Sequence, residues 1–259
     1  MIFDAHFHVI DPRFPLVPNQ GYLPEAFTAA DYREAIDGLG LGISGGAVVS
    51  GSFQAFDQSY LLDALATLGP GFAGVTQLPP EASDDDIAAL DEAGVRAARV
   101  NLRRGGPVTL PEVEDLARRV HAVAGWHVEL YVDSTDLVEL GPTLERLPQV
   151  VIDHLGLSGA GLAHVLDLVA SGAKVKATGF GRVDLDLAGT LRRIAAVDPT
   201  ALMFGTDLPS TRAPRPFSAL DVDLLVEALA DEDLVRAALW GNAVGLYRPT
   251  GGPGPAGPH

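Results

Sequence analysis

The chain predicts a single α/β domain, a closed (β/α)8 TIM barrel, and three observations carry that reading. Short apolar or β-branched runs alternate with helix-periodic stretches eight times within 259 residues. No G-x-G-x-x-G or P-loop falls at any strand-to-helix junction, although an open, doubly wound sheet would want one. The unusual polar residues recur at strand ends, where barrels of this type keep their working side chains. The open sheet is the alternative, but Gly179 and Gly181 after the seventh strand lack the third glycine and helix start it requires.

The elements follow in order. Strands are predicted at Ile2–His8, Gly45–Ser50, Phe72–Gln77, Ala97–Leu102, His127–Val132, Val150–His154, Lys174–Thr178 and Leu202–Thr206. They are apolar and short, as expected when both faces are covered. Thr28 with Asp31 opens the first helix and Gly40 closes it. Asp57 opens the second, with Gly69 after it. Ser83, followed by three aspartates, places acid at the positive end of the third helix, and Gly94 ends it. Leu110–Ala124, Thr135–Leu147, Gly161–Ala170 and Asp186–Val197 fill the later gaps, and Asp221–Leu239 forms one last helix. The barrel therefore takes residues 1–248. Residues 249–259 hold four prolines and four glycines, a composition that predicts a disordered tail.

Composition narrows the function. Hydrophobic residues at 47% supply a large core, and a formal charge of −16 argues against nucleic acid and anionic membrane surfaces as partners. No run approaches the length of a membrane span, and no basic stretch precedes an apolar one, so a soluble cytoplasmic chain without signal peptide is expected. The absence of cysteine excludes disulfides, thiolate metal sites and thiol nucleophiles. The oligomeric state stays open, a homo-oligomer included.

The first strand is the most informative segment. Strict alternation would point Phe3, Ala5 and Phe7 one way and Asp4, His6 and His8 the other. Burying two imidazoles and a carboxylate on one face costs several kcal/mol unless they are paired or bound (~2–7 kcal/mol per unpaired polar group). His154 and Asp207 end strands six and eight, so three of the seven histidines and one carboxylate reach strand exits. Such a set can hold a divalent metal through nitrogen and oxygen. Alternatively, Asp207 can act as general base on water while imidazoles donate to a developing oxyanion. His121, His127, His164 and His259 read as structural or incidental.

As a set, these residues resemble a known family. His6-x-His8 with the following Val-Ile-Asp-Pro, Arg99 in Arg-Val-Asn-Leu, Gly-Trp-His-Val, His154 in Val-Ile-Asp-His-Leu-Gly, Val-Lys-Ala-Thr-Gly and Asp207 in Gly-Thr-Asp-x-Pro look like the amidohydrolase-related barrels. Within them the chain is similar to the 2-pyrone-4,6-dicarboxylate lactonase branch, from Ile2 to Tyr247. The resemblance implies a hydrolase that opens a lactone or related cyclic ester. It carries His6, His8, His154 and Asp207 over as the catalytic set. It also implies substrate contacts from Tyr22, Ser52, Arg99, Arg104, Tyr131 and Arg182, with arginine suited to carboxylates by its planar donor fork.

Tyr131 stands where metal-dependent relatives often supply histidine, which favours chemistry with no required cofactor. One zinc or manganese on His6, His8, His154 and Asp207 is the alternative, and with it a mononuclear decarboxylase or hydratase. Phe53 and Phe56 should make the wall after strand two more apolar, pointing to an anionic lactone other than the dicarboxylate pyrone. Lys176, Arg103, Arg212 and Arg215 receive no role from the sequence.

Overall fold

Eight parallel strands follow one another in chain order around a barrel. They are β1 (Ile2–Phe7), β2 (Ile43–Val49), β3 (Phe72–Thr76), β4 (Val95–Asn101), β5 (His127–Tyr131), β6 (Val150–Ile152), β7 (Lys174–Ala177) and β8 (Leu202–Phe204). The computed structural model describes residues 1–79, 81–103 and 109–251. Arg104, assigned above to substrate binding, and residues 252–259 of the expected tail lie outside the described residues.

The helices are α1 (Ala29–Leu39), α2 (Ser59–Leu68), α3 (Asp84–Glu92), α4 (Leu110–Ala124), α5 (Leu137–Leu144), α6 (Leu162–Ala170), α7 (Leu187–Val197), α8 (Leu220–Leu229), α9 (Glu232–Arg236) and α10 (Asn242–Tyr247). Thr28 with Asp31 and Ser83 with Asp86 form reciprocal capping boxes at α1 and α3. The C-terminal segment differs from the single helix expected over Asp221–Leu239. Ala230 turns left-handed at φ +52°, and the Asp231 side chain accepts from the backbone of Asp233 and Leu234, starting a new helix. The chain then runs on to Tyr247. That extension matters, because Tyr247 and Trp240 pack on Phe3 at 5.5 and 6.3 Å between ring centres and floor the barrel.

Apolar side chains fill two compartments. The larger lies between sheet and helices, and the smaller inside the barrel includes Phe3, Ala5, Val49, Val75, Val151 and Met203. Small residues on β2 to β4 leave interior room above this floor for polar groups.

β1 departs from strict alternation, which corrects the one-face reading. Its pairing with β2 slips between Asp4 and Phe7, where three steps on β1 match two on β2. Phe3 and Ala5 point inward while Phe7 stacks on Tyr32 of α1 at 3.6 Å. Asp4 joins neither His6 nor His8 in the site. Its carboxylate accepts from the backbone of Thr206 (2.8 Å) and His6 (3.2 Å), and from the hydroxyls of Thr206 (2.6 Å) and Tyr32 (3.0 Å). Asp4 thus stitches the β8–β1 seam, which is continued by Asp207 N–H to the His6 carbonyl (2.7 Å) and His8 N–H to the Leu208 carbonyl (2.8 Å). Burial pushes the Asp4 carboxyl up to about 6, against the pull of those four donors.

Candidate active site

The seam delivers His6 and His8 to the same rim as the ends of β6 and β8. Ring centres lie 5.1 Å apart for His6 and His8 and 4.8 Å for His6 and His154. Asp207 Oδ1 is 3.8 Å from both His6 Nε2 and His8 Nε2. The four groups expected to converge do converge, and all are buried. Two of the four adopt left-handed backbone, His154 at φ +51° and Asp207 at φ +60°, a conformation that non-glycine residues keep only when their surroundings impose it. Gly179 is required beside them: at φ +63°, a Cβ there would stand 2.7 Å from His154 Nδ1.

Each imidazole is fixed by a different partner. His8 Nδ1 lies 2.7 Å from the Val49 carbonyl, an acceptor, so the proton sits on Nδ1 and Nε2 presents a lone pair. The expectation that all three rings donate to an oxyanion is corrected for His8, which in this tautomer accepts. His154 Nδ1 pairs with the Thr178 hydroxyl at 2.7 Å. His6 Nδ1 lies 3.3 Å from Lys176 Nζ and 3.4 Å from Asp153 Oδ1. Burial holds all three rings below the usual imidazole range, helped by Lys176 at His6, by His6 and Arg99 at His8, and by Arg182 at His154. At neutral pH they are uncharged.

Cations sit against the carboxylates. Arg182 grips Asp207 Oδ2 through Nε at 2.8 Å and through Nη2, and reaches the Thr211 carbonyl at 3.0 Å. Arg99 bonds Asp153 Oδ2 through Nε at 3.1 Å and the Ser50 carbonyl at 2.9 Å. Both guanidiniums line the cleft with Tyr22, Ser52, Asn101, Tyr131, Phe53 and Arg212. Sequence reasoning assigned Arg99 and Arg182 to substrate; their first partners are the protein's own acids. Arg212 stacks over Tyr22 at 4.3 Å at the mouth. Arg103 pairs with Asp133 and Arg215 with Asp221. Phe53 forms part of the wall as expected, whereas Phe56 faces a separate groove with Leu62 and Leu78.

Beneath the rim lies a charged layer that sequence reasoning did not assemble. Glu129 accepts from Lys176 Nζ (2.5 Å), His127 Nε2 (3.1 Å) and the Tyr247 hydroxyl. Burial pushes Glu129 up, but Lys176 and His127 outweigh it and hold the carboxyl at about 2. Asp153 is likewise held well below its usual range, since His6, Arg99 and Lys176 outweigh its burial. The signal was available: a period of two places His127, Glu129 and Tyr131 on one face of β5. His127, read as structural or incidental, is structural and anchors this layer.

The orphan atoms mark where chemistry can occur. Among the described residues, buried side-chain polar atoms without a hydrogen bond are His6 Nε2, Asp207 Oδ1, Asp153 Oδ1 and Arg119 Nε, and the first two face each other. A gap of 3.8 Å is too long for a hydrogen bond and leaves place for a shared atom, a water or an ion. Offered as ligands, His6, His154 and Asp207 bring atoms within 4.8 Å of one another. The donor set therefore fits one divalent ion, although Arg182 already matches the Asp207 charge.

A family model described as amidohydrolase matches residues 3–248. The chain is 27% identical to a 2-pyrone-4,6-dicarboxylate hydrolase of Comamonas testosteroni, over 95% of this chain and 90% of that one. It is 28% identical to a D-galactarolactone isomerase of Agrobacterium fabrum, over the same shares. A crystal structure of an apo protein from Agrobacterium tumefaciens superposes with a TM-score of 0.84 at 27% identity, over 95% of each chain. Among the described residues no helix is long and apolar enough to cross a membrane.

Proposed function

The chain belongs to the amidohydrolase family, and from that premise we propose that it opens a carboxylate-bearing lactone by Asp207-assisted attack of water on the ring carbonyl. The observation that carries the reading is the pair of unpartnered buried atoms, His6 Nε2 and Asp207 Oδ1, facing one another across 3.8 Å. Both named relatives suggest the substrate class. A pyrone dicarboxylate is a cyclic ester with two carboxylates, and a galactarolactone is a cyclic ester that keeps one.

Water occupies the gap between His6, His8 and Asp207. Arg182 anchors Asp207 Oδ2, which leaves Oδ1 as the base. Oδ1 takes one proton as the water oxygen bonds to the carbonyl carbon, while His8 Nε2 accepts a hydrogen bond from the second hydrogen, which stays on the oxygen. The carbonyl oxygen becomes an oxyanion and receives N–H donation from His154. When the intermediate collapses, the ring carbon–oxygen bond breaks and the departing oxygen recovers the proton from Asp207. Neutral imidazoles suit this sequence, because a neutral ring donates through one nitrogen and accepts through the other. Arg99, Arg182, Ser52 and Tyr22, with Tyr131 on the facing wall, orient the acidic end of the substrate.

No cofactor is required in this scheme. Should zinc or manganese bind, His6, His8, His154 and Asp207 would hold it, and the ion would polarise the carbonyl and acidify water. The partner in this reading is a small anionic lactone, and a formal charge of −16 argues against nucleic acid and anionic membrane surfaces. The test is a lactone panel, with pyrone dicarboxylate, galactarolactone and a neutral lactone, run on chelated enzyme with and without added zinc or manganese. Proton release with a carboxylate-bearing lactone, undiminished by chelation, is the expected result. Isomerisation without proton release, or turnover only with metal, contradicts it.

A further inference from the structure

Lys176 is fully buried inside the barrel, and no step above uses it. Its ammonium stands 2.5 Å from Glu129 Oε2, 3.3 Å from His6 Nδ1 and 3.8 Å from Asp153 Oδ1. Those three side chains form a second group spaced to hold a metal ion, and the ammonium fills its centre. An ammonium carries three donors and no acceptor. Next to His6 it is placed to donate to a lone pair on Nδ1, an arrangement that puts the neutral ring's proton on Nε2. Asp153 Oδ1, at 3.4 Å from the same nitrogen, is the competing partner, the acceptor that an Nδ1–H ring would use.

His8 is arranged the opposite way. Its Nδ1 faces a carbonyl, and its Nε2 offers a lone pair to the gap. That is how a metal-ligating histidine is normally held, with the remote N–H given to a carbonyl or carboxylate. Of the two rings in His-x-His, one is set as an acceptor and the other as a donor.

We infer that Lys176 is a positioning residue that assigns His6 its Nε2–H tautomer and thereby steers this rim toward water and away from a divalent ion. With the proton on Nε2, His6 has no lone pair for an ion shared with His8 and Asp207. It instead donates to a water that His8 and Asp207 accept from. The inference rests on the metal-independent reading above and supplies a physical cause for it.

Two measurements test it, and neither involves turnover, so failure of the lactone panel leaves them standing. The first is the His6 tautomer in the unmodified protein, read from nitrogen–proton correlations of isotope-labelled histidine and assigned with His6→Gln. An Nε2–H ring is expected, and an Nδ1–H ring overturns the inference. The second is zinc binding by the charge-neutral double variant Lys176→Met, Glu129→Gln. Second-shell exchange at histidine ligands changes metal affinity by ~10–100-fold, so affinity should rise by about that factor over the unmodified protein. Unchanged affinity in a folded double variant overturns the inference; if that variant does not fold, the tautomer measurement decides alone.

Discussion

The rim of the barrel and the layer beneath it use the same residue types to opposite ends. Below, Glu129 is satisfied by Lys176, His127 and Tyr247, and the one bare atom of that layer, Asp153 Oδ1, lies 3.8 Å from the Lys176 ammonium. At the rim, His6 Nε2 and Asp207 Oδ1 remain unsatisfied although equally buried. Unsatisfied buried polar atoms destabilise a fold, so those that persist in one place point to a ligand or reacting atom. The lower layer is scaffold for the upper one, and Lys176 belongs to both.

Substitutions can break that contrast, and the largest effect is expected below. Lys176→Met alone strands a buried carboxylate, and breaking a buried pair costs ~3–5 kcal/mol. Urea unfolding should show a loss of that size. The same measurement on Asp207→Asn should move stability by less than about 1 kcal/mol, because Arg182 keeps an oxygen to bond. Equal losses at both sites would erase the distinction between scaffold and site.

At the rim, Arg182→Met leaves Asp207 without its anchor. Misplacement of a catalytic group by about 1 Å can cost ~10²-fold, so kcat should fall by that order. Arg182→Lys should not restore it, since a point charge cannot reproduce the two-nitrogen grip. Recovery with lysine would reduce Arg182 to a source of charge.

Acid stability sharpens the contrast further. Glu129 sits at about 2 in the fold against an ordinary 4.5, so its contribution is complete above pH 4.5 and is lost as pH falls through about 2. Asp153 acts in the same direction. Asp4 has the opposite sign: raised from 3.8 to about 6, its contribution is complete below 3.8 and is lost as pH rises through about 6. Urea midpoints against pH should therefore fall on the acid side, and the Lys176→Met, Glu129→Gln double variant should flatten that limb. An unchanged limb would place the acid sensitivity elsewhere. The smallest effect is expected from Ser52→Ala, where loss of one neutral hydrogen bond to substrate, ~0.5–1.5 kcal/mol, should raise KM several-fold with kcat kept.

Much of this was legible in the chain. The strand and helix alternation places the barrel, because the period of the apolar pattern is a local property. His154 and Asp207 are legible as candidate site residues because polar side chains at strand exits are unusual. The direction of Asp4 was not legible: a bulge shifts the alternation, and the carboxylate's partner is Thr206, some two hundred residues away. The partners of Arg99 and Arg182 were hidden for the same reason, since Asp153 and Asp207 approach them only after closure. The break at Ala230 depended on a left-handed non-glycine residue, which sequence preference disfavours.

The central claim is that Asp207 Oδ1, left bare beside His6 and His8, takes the proton from the attacking water. Steady-state kinetics of Asp207→Asn on the lactone the unmodified enzyme opens tests it most directly. A positioned general base contributes ~10²–10⁴-fold, so kcat should drop at least that far while KM stays within about threefold. An Asp207→Asn enzyme that opens the lactone at the unmodified rate would contradict the account.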